Sequence, residues 1–315
     1  MPPDGSPTVG DRLIEAIRAA GCDHVFGVPG DFTLSLNRRL DEAGMFVGTS
    51  DEQGAGFAAD AYARLNGIGV VLVTWGVGGM KVINSTAQAW AESVPVVVIA
   101  GSPGLREREG DPLLHHKVKS FETQLRVMED VTSMAVELHD PETAPLLISA
   151  AFARARHECR PVYLELPRDV EGMPAGPLPA PSSPPEPDPA TLAECLDDVM
   201  DTLGRAERPT VIAGVLVARL GLQRQVEALT QATGYPLAET LLGKSVLASD
   251  APWHIGMYAG PMSSSEQVRQ AIEESDRVLV LGAYITDLNT AMFSVGIDRS
   301  DTIISHQGIT YVGTR

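Results

Sequence analysis

The hydrophobic positions of this chain fall into two alternating kinds of segment. Short runs are largely apolar: Phe46 to Thr49, Val70 to Thr74 and Pro95 to Gly101, with Asp23 to Gly27 read as a further buried strand. Between them, apolar residues recur every three or four positions, as in a helix with one buried face. This periodicity predicts helices over Thr8 to Ala20, Phe32 to Ala43, 51–66 and about Met80 to Trp90. Strands without polar alternation, interleaved with helices, imply a parallel sheet covered on both faces. Residues 102–120 are polar and broken by Pro103, Gly104, Gly110 and Pro112, a long loop of the kind that is usually either functional or disordered. Helices near 122–129 and 142–157 and a strand over Pro161 to Leu166 follow.

Gly172 to Ala190 holds eight prolines and reads as an extended linker. Beyond it the alternation resumes. Helices are expected at Thr191 to Leu203 and near 220–233, with strands at Pro209 to Leu216, 236–240, Arg277 to Gly282 and Thr302 to Ser305. The expected fold is therefore α/β, with two open, mostly parallel, doubly wound sheets. One forms a domain over 1–171 and the other a domain over 191–315, with 172–190 between them.

The most informative helix is the one at 51–66. Ser50 suits its N-cap, and Gln53 three residues on would complete a capping box. Ala55, Ala58, Ala59 and Tyr62 then share one face, where small side chains let another body approach closely. Glu52 lies in the first turn, where an acid complements the helix dipole. Asp31, after the Pro29-Gly30 turn, is placed to cap the next helix at the mouth of a sheet, where α/β proteins bind ligands. Adjacent histidines such as His115 and His116 are ordinarily just solvated loop residues, although imidazoles titrate near neutrality. Thr74 to Gly79 forms a glycine-rich strand-to-helix turn but lacks the Gly-Lys-Ser/Thr of a phosphate loop.

Taken together these segments carry a resemblance. Glu52-x-x-Ala55-x-x-Ala58-Ala59-x-Ala61-Tyr62-Ala63-Arg64 resembles the pyrimidine-binding motif of thiamine-diphosphate enzymes. With Gly27-Val28-Pro29-Gly30-Asp31 and His115-His116, it resembles the pyruvate and indolepyruvate decarboxylase branch. Arg160 to Arg168 is similar to the segment closing that family's first domain, and Leu241 to Val246 to part of its central domain. The resemblance implies that Glu52 hydrogen-bonds the aminopyrimidine N1′ of thiamine diphosphate and activates it. It implies that Asp31, His115 and His116 handle protons, and that Pro29, Gly30, Thr74, Gly76 and Val77 line the cofactor. Trp75, large for this position, is expected in the wall of the pocket. Where the branch has Thr-Leu-Gly after the histidines, this chain has Lys117-Val118-Lys119, a departure that bears on substrate choice.

In the family a third domain holds the diphosphate and Mg²⁺ through Gly-Asp-Gly and a downstream Asn. No Gly-Asp-Gly occurs in these 315 residues. The expectation is a split enzyme: this chain would supply the pyrimidine side, and a second polypeptide the metal ligands, in a hetero-oligomer built on dimers. Decarboxylation of a 2-oxo acid is the expected reaction. A carboligase sharing the early chemistry, a catalytically silent regulatory subunit, and a piece of a longer decarboxylase are the alternatives.

Composition narrows the partners. A net charge of −17 disfavours nucleic acid, whose affinity comes largely from Lys and Arg on phosphates. No apolar run approaches the ~18 residues of a membrane span. The N-terminus lacks a secretory pattern, and Cys22, Cys159 and Cys195 form no disulfide framework. A cytoplasmic, reduced protein is expected.

Overall fold

The computed structural model describes residues 5–184 and 186–314. These form two compact units that divide after Pro184.

The first unit runs α1 (Val9–Ala19), β1 (Val25–Gly27), α2 (Leu34–Glu42), β2 (Phe46–Gly48), α3 (Glu52–Asn66), β3 (Gly69–Thr74), α4 (Val77–Lys81), α5 (Ile83–Ala91), β4 (Val96–Ser102), α6 (Thr123–Glu129), β5 (Met134–Glu137), α7 (Ala144–Glu158) and β6 (Val162–Pro167). Its strands form one sheet in the order β2-β1-β3-β4-β6-β5, and every pairing is parallel. Alternate residues of the central strands feed two cores. Val70, Leu72, Val97 and Ile99 meet α1, α2 and α7, while Val71, Val73, Val96 and Val98 meet α3, α5 and α6. This double burial explains the unbroken apolar runs.

Three local expectations change. The N-cap of α3 is Asp51, whose carboxylate accepts from Gly54 N–H at 2.7 Å, and not Ser50. The capping box with Gln53 is therefore not the one used. Asp31 does not cap the following helix, because α2 begins three residues later, with Thr33 at the cap position and its hydroxyl turned back to Gly30. The carboxylate of Asp31 is left to face other groups. Finally, the helix expected near 80–90 is two helices. Ser85 Oγ and Thr86 Oγ1 both donate to Val82 O at 2.9 Å, so side-chain hydroxyls compete for the carbonyl where the axis breaks.

The small-residue face of α3 serves close packing within the unit. Ala55, Gly56, Ala59 and Ala63 are buried, and a Cβ at Gly69 would lie 2.8 Å from the Ala59 carbonyl carbon. Strand β5 was not foreseen; it is an edge strand whose residues are only half-buried. The start of the proline-rich stretch also belongs to this unit. Pro174 bridges Thr8, Val9 N–H donates to Met173 O, and Met173, Ala175 and Leu178 pack on the core.

The second unit contains α8 (Pro189–Gly204), β7 (Pro209–Ala213), α9 (Val215–Arg219), α10 (Gln223–Thr233), β8 (Leu237–Glu239), β9 (His254–Met257), α11 (Glu266–Glu273), β10 (Arg277–Leu281), β11 (Thr302–His306) and β12 (Ile309–Val312). The order is β12-β11-β10-β7-β8-β9, parallel except for β12. Strands β9 and β12 and helix α11 lie outside the elements read from the sequence. Both sheets are open and mostly parallel, as the pattern implied. Among the described residues no helix is long and apolar enough to cross a membrane, and no two cysteines form a disulfide.

Candidate active site

In the first sheet the chain steps from β1 outward to β2, then returns to place β3 on the other side of β1. The strand order therefore reverses between β1 and β3. In such sheets the usual ligand position is the crevice beyond the carboxyl ends of the strands at this point. The loops that leave these strands carry the residues singled out above.

Asp31 follows β1, and Thr74 ends β3. Thr74 Oγ1 donates to Asp31 Oδ1 at 3.3 Å across the reversal. The other carboxylate oxygen, Oδ2, accepts from His115 Nε2, although the two residues are 84 positions apart. Burial alone would raise the Asp31 carboxyl. The His115 hydrogen bond and the nearby imidazole charges outweigh it and hold the group below the usual carboxylate range. The His115 ring stacks on Phe32 with centroids 5.2 Å apart, and the His116 ring meets it edge-on at 4.7 Å. One ligand-type atom from each of Asp31, His115 and His116 lies within 4.8 Å of the others, a spacing that a proton crosses through at most one water.

Three features seat the histidine loop. Lys117 is the departure noted in the sequence. It folds back so that Nζ donates to Asp111 Oδ1 at 2.5 Å and Pro112 O at 3.0 Å, lying 4.2 Å from the centroid of Phe121. Trp75 is buried against Phe32 and Phe121. Gly76 has φ +74°, and a Cβ there would lie 2.5 Å from His116 O and 2.7 Å from His116 Cβ. Only glycine lets the strand-to-helix turn and the loop approach this closely. His116 itself sits at φ +67°, a left-handed conformation that surrounding contacts must hold.

Glu52 opens α3, and its side chain is 17% exposed. Lys81 Nζ lies 3.7 Å from Glu52 Oε2 and 3.9 Å from Asp51 Oδ1, a partner that nothing in the sequence signalled. Gly78 keeps the neighbourhood of Glu52 clear: a Cβ there would stand 3.3 Å from Thr74 Cγ2 and 3.5 Å from Glu52 Cγ. Pro29 and Val77 are exposed at the rim, while Gly30, Thr74 and Gly76 lie deeper. The residues named from the sequence thus meet at one edge of one sheet. A second residue missed by sequence reasoning is Gln124, whose Oε1 accepts from Gly76 N–H at 2.7 Å.

A cavity also lies elsewhere. It occupies about 410 Å³ in the second unit, near the carboxyl ends of β10 and β11, lined by residues including Tyr258, Asn289, Arg299 and His306. None of the residues proposed for chemistry lines it.

Residues 7–129 match the family described as thiamine pyrophosphate enzyme, N-terminal TPP binding domain, and residues 196–308 match its central domain. The chain belongs to the thiamine pyrophosphate enzymes. It is 36% identical over 297 residues to an indole-3-pyruvate decarboxylase of Azospirillum brasilense, covering 93% of this chain and 54% of that protein. It is 35% identical over 302 residues to an alpha-keto-acid decarboxylase of Mycobacterium tuberculosis (94% and 53%). With a pyruvate decarboxylase of Aspergillus fumigatus the identity is 34% over 315 residues (98% and 55%). The chain spans about half the length of the curated relatives it matches.

The residues present suit one side of the cofactor. A carboxylate at a helix start faces space that a glycine keeps open, and a carboxylate–imidazole pair stands at the mouth of the same crevice.

Proposed function

We propose that this chain supplies the pyrimidine side of a thiamine-diphosphate site that decarboxylates a 2-oxo acid. The diphosphate and Mg²⁺ would be held by protein that these 315 residues do not contain. When bound, the cofactor supplies the carbon nucleophile and the electron sink that loss of CO₂ requires.

Glu52 holds the pyrimidine ring nitrogen by a hydrogen bond and sets the tautomer of the aminopyrimidine. Gly30, Thr74, Gly76 and Val77 shape the wall beside it. The proton that completes an aldehyde product is held at the Asp31 Oδ2–His115 Nε2 contact, and His116 is near enough to exchange with it. The loop carrying both histidines is held at the carboxyl ends of β1 and β3, with Lys117 and Phe121 fixing its base.

One observation carries this reading: Thr74 and His115, from distant parts of the chain, are both hydrogen-bonded to Asp31 where the strand order reverses. The Asp31–His115 pair favours release of an aldehyde over joining to a second carbonyl compound, because it places a ready proton at the site.

The test is to isolate these residues together with the protein that completes the site and supply thiamine diphosphate, Mg²⁺ and a panel of 2-oxo acids. Aldehyde and CO₂ should form, and Glu52→Gln should lower turnover at least ~100-fold with an unchanged circular dichroism spectrum. Near-normal turnover in that variant would overturn the role of Glu52. Acyloin as the main product would replace decarboxylase with carboligase. Tight cofactor binding and turnover by the 315-residue chain alone would overturn the division of labour.

A further inference from the structure

The core of the first unit contains a chain of polar side chains that the reaction does not itself use. It begins at Gly76, the N-cap of α4, which has no side chain to satisfy backbone donors at the helix start. Gln124 on α6 accepts the Gly76 N–H at 2.7 Å. Its Nε2 donates to the Tyr163 hydroxyl at 2.6 Å, and that hydroxyl donates to Glu165 Oε2 at 2.5 Å. Gln124, Tyr163 and Glu165 are each at most 1% exposed.

The direction of every link is fixed. Gly76 can only donate, so Gln124 must present its oxygen there and its NH₂ to Tyr163. Tyr163, having accepted, must pass its own proton toward Glu165. The remaining Glu165 oxygen lies 3.9 Å from Arg108 Nη2, and Arg108 in turn donates to Glu137 Oε1 at 2.5 Å and to Ser102 Oγ at 2.9 Å.

Burying such a chain is expensive unless each member is satisfied, and apolar residues of similar size would fill the same space at less cost. What apolar residues could not do is hold the Gly76 amide. The far end of the chain is anchored on β6 and β5, and its near end grips the turn between β3 and α4. Gly79 leaves the room in which the Gln124 amide lies.

We infer that Gln124 is a positioning residue: backed by Tyr163 and Glu165, it fixes the Gly76–Val77 turn at the position the pyrimidine half of the cofactor requires. This rests on the reading that the turn lines the cofactor, and the two ideas fail in different ways.

The test is amide hydrogen exchange by NMR on the 315-residue chain, followed by cofactor titration of the assembled enzyme. Gln124→Met keeps the volume but removes both links. Gly76 N–H should exchange about tenfold faster, with Val70 to Val73 of β3 unchanged. Tyr163→Phe leaves the Gly76 bond but frees Gln124 Nε2, and should give a smaller acceleration at the same amide; it carries the test if Gln124→Met does not fold. In the assembled enzyme the apparent KM for thiamine diphosphate should rise about tenfold while kcat changes less than about twofold.

Unchanged exchange at Gly76 in every variant that folds, or acceleration spread equally over β3, would overturn the positioning role alone. Faster exchange at Gly76 with an unmoved cofactor KM would overturn the link to the cofactor, and with it the assignment of this turn to the site.

Discussion

The charge state of Asp31 is set by a neighbour 84 residues away. Because His115 offsets the effect of burial, removing the imidazole should let the Asp31 carboxyl titrate higher. In His115→Gln, a carbon-detected carboxyl titration should show Asp31 moving up toward or beyond its ordinary value; an unmoved titration would refute the coupling. Stability follows the sign of the wild-type shift: the contribution is present above the ordinary carboxylate value and is lost as pH falls through the lower folded value. Glu165 behaves oppositely. Burial pushes its carboxyl up to about 7, against the lowering pull of the Tyr163 hydroxyl and Arg108, while Glu137 and Glu122 add to the rise. A folded state that holds its proton more tightly than the unfolded chain is favoured most at low pH. That contribution declines as pH rises from the ordinary 4.5 toward 7. Glu165→Gln cannot ionise but still accepts from Tyr163. Against this variant, wild type should lose up to about 3 kcal/mol of unfolding free energy over that window, measured by urea melts at several pH values. Parallel curves would show that the buried carboxyl does not titrate there.

At the level of elements, caps and breaks follow local chemistry that the apolar pattern does not encode. The pattern places the N-cap of α3 at Ser50, although Asp51 is an equally good capping residue type. The structure selects Asp51 because its carboxylate reaches Gly54 N–H. Asp51→Ala should therefore cost about 1 kcal/mol in a denaturant melt, and Ser50→Ala close to nothing; equal costs would contradict the capping geometry. Most strands and helices of the first unit were legible because residues such as Val70 to Val73 are buried on both faces and leave no ambiguity of period. Strand β5 was not legible: it is half-buried at an edge and carries no comparable run. The site was legible where chemistry coincided with a turn signal, as at Gly30-Asp31 and Thr74-Gly76. Lys81 and Gln124 escaped notice because each sits inside an ordinary helix, and its importance comes from what lies across space.

For the molecule as a whole, two cores on opposite faces of one sheet are completed without any residue beyond Leu178. Domain boundaries near 184 are accordingly a proposal that expression can check. Residues 1–184 alone should unfold cooperatively, with near-ultraviolet circular dichroism typical of fixed packing, and a molten product would refute the boundary. The path of the polar chain from Gly76 to Glu165 also bears on biosynthesis. A nascent chain has made Glu52, Asp31 and the turn at Gly76 long before Tyr163 emerges. With synthesis at about 5–20 residues per second, those early residues wait several seconds for the last brace to arrive. Until then the turn lacks its brace, so a ribosome stalled before β6 would release a product with every side chain proposed for chemistry present and the proposed binding wall still slack.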